Sequence, residues 1–128
     1  MSANFDLIQT FLRKLRAGDQ AGAMSHVHPE VVIDEPGSLP QSGEHRGHDA
    51  PLRLRALITD LWEQQNGPER YLDAGEAVLM QREVTWRAKR TGKTTRQQVL
   101  ELYEFRDGMI ARITVWLRDT KALAATLE

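Results

Sequence analysis

The chain has 128 residues, 17 basic and 18 acidic side chains, a formal net charge of −1 and no cysteine. A chain of that length can bury one core without a metal or disulfide, so a single domain over residues 1–128 is expected; the missing cysteines exclude thiolate metal centres and cysteine nucleophiles. Acids and bases alternate along the chain, which leaves no footprint for nucleic acid, and neither a basic leader nor a run of about 18 apolar residues appears, which reads as a soluble cytoplasmic protein.

Phe5, Ile8, Leu12 and Leu15, with Phe11 on the flank, recur at helical spacing and predict an amphipathic first helix with Asn4 as N-cap. Ala17 and Gly18 end it, and Asp19 can cap a shorter helix to about Ser25. Pro29 leads into an apolar strand, Val31-Val32-Ile33, that ends on Asp34 and Glu35 and is broken by Pro36 and Gly37. A turn-rich loop, GSLPQSGEHRG, then runs to a third helix. Asp49 caps that helix, Leu54, Leu57, Ile58, Leu61 and Trp62 form its stripe, and Asn66-Gly67-Pro68 stop it. Beyond Tyr71 the pattern alternates, predicting strands near 70–74, 77–89, 94–106 and 109–117 and a short helical tail at KALAATLE. Helices followed by a run of strands mean an α+β fold.

Period-two alternation assigns faces. Val31, Ile33 and Glu35 share one side of their strand; Met80, Arg82, Val84 and Trp86 share one side of theirs, as do Val99, Glu101, Tyr103 and Phe105. Two glutamates therefore stand in apolar company, where desolvation raises a carboxyl pKa unless a cation or donor offsets it. Each also has a plainer reading: Glu35 as a solvated strand end, and Glu101 as the partner of Arg82 or Arg112. Trp86, Phe105, Trp116 and Met80 are expected in the core or the wall of a pocket. The opposite face, with Leu100, Leu102, Ala111, Ile113 and Val115, should pair with another subunit if no helix covers it.

RAGDQAGAMSHVHPEVVIDEP, SGEHRGHDAPLRLR and LELYEFRDGMIARITVWL together resemble the NTF2-like superfamily, and within it the SnoaL-like and ketosteroid-isomerase-like proteins. The resemblance spans nearly the whole chain. It implies a curved, mostly antiparallel sheet wrapped around helices into a cone with an apolar pocket, usually in a homodimer. It also implies a cofactor-free proton transfer on an apolar carbonyl compound, with Glu35 as the shuttling base and Glu101 donating to an oxyanion. Both positions carry Glu where ketosteroid isomerases have Asp, and Phe11 stands where they place a tyrosine, so Tyr103 is the remaining phenolic donor. The fold also hosts binding or dimerisation modules without catalysis, and hydrolases or dehydratases, some using an acid–arginine–acid set that the sequence does not display.

His26 and His28, and His45 and His48, could offer imidazole pairs, but no acid stands at metal-site spacing, so no metal is expected. His28 is the candidate acid–base partner beside Glu35. RTGKTT lacks the first glycine of a phosphate loop and falls in a hairpin turn.

Overall fold

In a computed structural model covering residues 1–128, the elements follow as α1 (Ala3–Arg16), α2 (Gln20–Met24), β1 (Val27–Glu35), β2 (Gly43–Arg46), α3 (Ala50–Leu61), β3 (Trp62–Asp73), β4 (Ala77–Ala88), β5 (Thr94–Arg106), β6 (Met109–Leu117) and α4 (Thr120–Ala125). Helix α1 is capped two residues earlier than Asn4 would place it. The Ser2 hydroxyl accepts from the Phe5 N–H at 3.0 Å and is the cap, while the Asn4 amide donates to the Gly75 carbonyl. Asp19 caps α2 by accepting from the Gly22 N–H.

Six strands form one unclosed sheet in the order β2-β1-β6-β5-β4-β3, with β1 and β6 parallel and every other pair antiparallel. It curves around the helices as an α+β cone. Two expectations need correction. The loop segment GEHR is strand β2, paired to the end of β1 with Glu35 opposite Gly43. Asn66-Gly67-Pro68 does not stop a helix but forms a bulge inside β3: Asn66 pairs with Val84 and Glu69 with Arg82, so Gly67 and Pro68 together oppose Glu83. A proline, which cannot donate to a ladder, is tolerated at a bulge on an edge strand. Trp62 accordingly belongs to the strand and not to the helical stripe.

The face of β6 is also reversed from expectation. Asp107 and Gly108, both with positive φ (55° and 69°), make a two-residue turn of the primed type that pairs Arg106 with Met109. Counting onward without interruption would turn Trp116 inward. The register slips, however: Phe105 pairs with Ile110 and Glu104 with Arg112, leaving Ala111 as an extra residue. A bulge of one residue inverts every later side chain. Ile113 is therefore buried in the core and Val115 packs against it, whereas Trp116 is 47 % exposed on the convex side.

The concave side holds two apolar clusters. One gathers Ile8, Phe11, Met24, Val31, Val78, Met80 and Tyr103, with Phe105 packed against it. The other gathers Leu39, Trp62, Val84, Trp86, Val99 and Leu123. Trp62 and Trp86 meet edge to face with ring centroids 5.4 Å apart, and the Trp62 indole donates to Thr126 Oγ1 at 2.9 Å, which ties α4 to the sheet. No helix is long and apolar enough to cross a membrane.

Candidate active site

Between the two clusters the concave face turns polar. Glu101 pairs across the sheet with Met80 on one side and Val115 on the other, and Arg82 pairs with Val99, so all five point inward with the core. Asp34 of β1 pairs with Thr114, which sets Glu35 at the strand end beside Val115 and in the same transverse row as Glu101. The alternation that singled out Glu35 and Glu101 thus brings both acids to one side of the sheet.

Glu101 is held by two donors. Arg82 Nη2 donates to its Oε1 at 2.9 Å and the Tyr103 hydroxyl donates to its Oε2 at 2.5 Å. Arg82 Nη1 also donates to Asn66 Oδ1 at 2.8 Å, from the β3 bulge. Both partners of the ion pair are largely buried, with side-chain exposures of 18 % and 12 %. Burial works against the Arg82 charge, but the Glu101 carboxylate more than offsets it and raises the guanidinium pKa above its ordinary value. The Tyr103 hydroxyl, fully buried and facing Glu101, is raised well above the ordinary phenol range. Both carboxyl oxygens of Glu101 are thus occupied, one by Arg82 and the other by Tyr103.

Glu35 is different. It is 7 % exposed, and no protein donor reaches its carboxyl. Desolvation first, and then the nearby Glu101 charge, push its pKa from the ordinary 4.5 up to about 8, with Arg82 pulling the other way. It is a mostly neutral acid at pH 7, in reach of the field of a buried arginine. Arg82 Nε, moreover, is a buried N–H with no partner.

The other candidates divide. Met80, Val84, Trp86 and Phe11 are buried in the clusters that flank this polar belt. Trp116 leaves the pocket wall because of the β6 bulge. His28 does not edge toward Glu35: it sits at the opposite end of β1, its ring against Arg106 and 3.5 Å from Asp107. His45 and His48 contact the carbonyls of Gln41 and Met24, His26 contacts Lys14, and no group of three or more His, Asp or Glu side chains is placed to hold a metal. The open grooves along β3, lined by Gln65, Gly67, Glu83 and Arg96 and by Pro68, Arg70 and Gln98, are polar and do not include Glu35. Asn66 escaped the sequence reading because its motif looked like a helix stop.

The SnoaL-like domain family matches residues 8–113. The chain belongs to that family. The matched span carries β1 with Glu35, the β3 bulge and the whole Arg82–Glu101–Tyr103 group. Among solved structures, an NTF2-like protein from Burkholderia xenovorans LB400 is similar over 98 % of this chain and 96 % of its own, at 26 % identity and a TM-score of 0.90. TerC, co-crystallised with polyporic acid, is 24 % identical over 98 % of both chains with a TM-score of 0.81. A candidate SnoaL-like polyketide cyclase from Mesorhizobium loti is 19 % identical over 87 % of this chain and 96 % of its own, with a TM-score of 0.70. No curated protein matches the chain. The NTF2-like cone expected from the sequence is the fold these structures share.

Proposed function

We propose that this SnoaL-like protein is a cofactor-free enzyme that moves a proton on an apolar carbonyl compound held on the concave face, with Glu35 as the acid–base group. One observation supports this above the rest: a buried carboxyl, bonded to no protein donor and lifted to about pKa 8, lies within the field of an arginine that has an unused N–H. A group whose pKa lies near the working pH both takes and returns a proton efficiently. In the ionised form Glu35 removes the proton α to the carbonyl, and the developing enolate oxygen accepts from Arg82 Nε–H. On a β,γ-unsaturated ketone the product of that step is a dienolate; the neutral Glu35 so formed returns the proton to its γ-carbon, the double bond moves into conjugation and the enolate oxygen reverts to the carbonyl. Arg82 is held in place for this by Glu101 and Asn66, and Tyr103 fixes Glu101. Glu101 accordingly acts as a positioning residue, not as the proton donor that the family resemblance suggests.

The test uses a plain bicyclic ketone, 2-tetralone, in D2O. Exchange of its α-protons is expected to accelerate as pH rises toward 8, to follow the carbon-NMR titration of Glu35, and to be lost in Glu35→Gln. A Glu35 titration near the ordinary 4.5, or exchange unchanged in Glu35→Gln, overturns the reading.

A second reading, water addition as in hydrolases or dehydratases of this fold, draws on one feature the sequence did not display. Arg82 is bonded to Glu101 and electrostatically coupled to Glu35, which makes an acid–arginine–acid set in space. Incorporation of labelled water oxygen into a small epoxide or enone favours it over isomerisation.

The convex face is proposed to join two copies. Leu72 pairs with Leu79 and Leu79 with Leu102, while Leu100 pairs with Trp116, so the outward apolar side chains form a band across four strands. Leu72 at 51 % and Trp116 at 47 % stand open in one chain. Trp116→Glu is expected to convert a dimer to a monomer in sedimentation, with the far-ultraviolet dichroism unchanged. A wild-type monomer at high concentration removes the proposal.

A further inference from the structure

The groups assigned to the reaction are shut away. Glu35 is 7 % exposed and Arg82 Nε is buried, so a small molecule reaches them only after some element has moved. The helices differ in how firmly they are seated. Helix α1 sinks Ile8, Phe11 and Leu12 into the core and α3 sinks Ala50 and Leu54, whereas α4 has six residues and one buried side chain, Leu123. A helix that short has no stability of its own, and segments with few buried contacts are the first to open.

The attachments of α4 divide into a fixed end and a releasable one. At the fixed end Gln97 of β5, itself buried, clasps the Asp119 backbone twice: its Nε2 donates to the Asp119 carbonyl at 2.6 Å and its Oε1 accepts from the Asp119 N–H at 2.9 Å. The Asp119 carboxylate then caps the helix by accepting from the Ala122 N–H. At the far end the bonds converge on the last residues. Trp62 Nε1 donates to Thr126 Oγ1, and the Thr91 hydroxyl of the β4–β5 turn donates to the Thr126 carbonyl at 2.5 Å. Arg90 and Lys93 of the same turn reach the carbonyls of Leu127 and Glu128 on the surface, where water replaces such bonds at little cost.

Leu123 lies between these two ends, 0 % exposed, and packs in the cluster of Leu39, Trp62, Val84, Trp86 and Val99. That cluster borders the polar belt. Val99 is the cross-strand partner of Arg82, and Val115, which packs against the cluster, is the partner of Glu101. We propose that α4 is a lid that swings about Asp119, and that an apolar ligand enters by taking the place of Leu123 against Trp62 and Trp86. This rests on the reading that the concave face holds an apolar carbonyl compound. Gln97 is then the hinge clamp, the Trp62–Thr126 bond the latch and Leu123 the plug.

The test locks the lid. The chain has no cysteine, so in Thr91→Cys/Thr126→Cys the two thiols have only each other to pair with. Binding of 2-naphthol, a flat enolate mimic, is followed by stopped-flow fluorescence on the full chain. Oxidation of this variant is expected to slow association at least about tenfold, and dithiothreitol to restore it, because binding proceeds only through the open fraction. Leu123→Ala, which keeps the helix and removes the side chain the ligand must displace, is expected to bind 2-naphthol at least about tenfold more tightly than wild type; it carries the test if the cross-linked variant fails to fold. A helix with a purely structural role leaves the association rate equal in oxidised and reduced protein. That result, or unchanged affinity in Leu123→Ala, overturns the lid and leaves the proton-transfer reading standing. Failure of 2-naphthol to bind either wild type or Leu123→Ala at millimolar concentration overturns both.

Discussion

Glu35→Gln is expected to make the protein more stable at alkaline pH and to flatten its stability between about pH 4.5 and about pH 8. In the folded chain burial and the Glu101 charge hold the Glu35 pKa at about 8, against an ordinary value of 4.5. Over that interval the folded state keeps a proton that the unfolded state has released, so the favourable contribution is complete below the unfolded pKa and fades as pH climbs through the folded one. With each pKa unit worth about 1.4 kcal/mol, the wild type should lose roughly 3–5 kcal/mol across the window, and the variant should not. Glutamine has nearly the shape of the neutral acid, so packing is conserved. Glu69 and Asp73, whose pKa values are lowered by Arg16 and Ser2, act at lower pH with the opposite sign, and the difference between wild type and variant cancels them. Urea denaturation at intervals across this range measures it; parallel curves for the two proteins would show that Glu35 is not desolvated.

The second large effect belongs to Arg82. Its guanidinium ties three strands together by bonding Glu101 of β5 and Asn66 of β3 from its place on β4. Arg82→Met keeps much of the stem's volume but strands the Glu101 carboxylate in a largely buried site with only Tyr103 to bond it. Removal of one partner from a buried pair costs about 3–5 kcal/mol, whereas the same change in an exposed pair costs under about 1 kcal/mol. The double variant Arg82→Met/Glu101→Gln should recover most of the loss, since it leaves no uncompensated charge. A single-variant cost below about 1 kcal/mol would place this pair among ordinary surface bridges. The contrast with Arg112 is instructive, because its contacts to Asp34 and Glu44 are long, at 3.4 and 3.3 Å, and half exposed.

Strands β4, β5 and β6 were legible almost to the residue, because long alternating runs closed by Gly-containing turns leave little choice of period. Strand β3 was legible only at its C-terminal end, from residue 70. An Asn-Gly-Pro triplet ends a helix in most settings, and nothing local distinguishes it from a bulge on an edge strand whose partners, Arg82 and Val84, come later in the chain. The pair Glu35 and Glu101 could be found by parity alone, as no bulge intervenes between either residue and its row. The Arg82–Glu101 bond was one of two readings open from sequence, and only the register of β4 against β5 decides it. Gln41 carried no signal. A glutamine in a turn-rich loop looks solvated, yet Gln41 is fully buried.

Ala111 shows how little chain length separates two different surfaces. Because a single supernumerary residue sets the phase of everything C-terminal to it, loss of one codon there would exchange Ile113 and Val115 for Arg112, Thr114 and Trp116 along the inner wall. A substitution in the last strand alters one side chain, but an insertion or deletion at this hairpin has to arrive with a compensating one, or the interior and the exterior trade places.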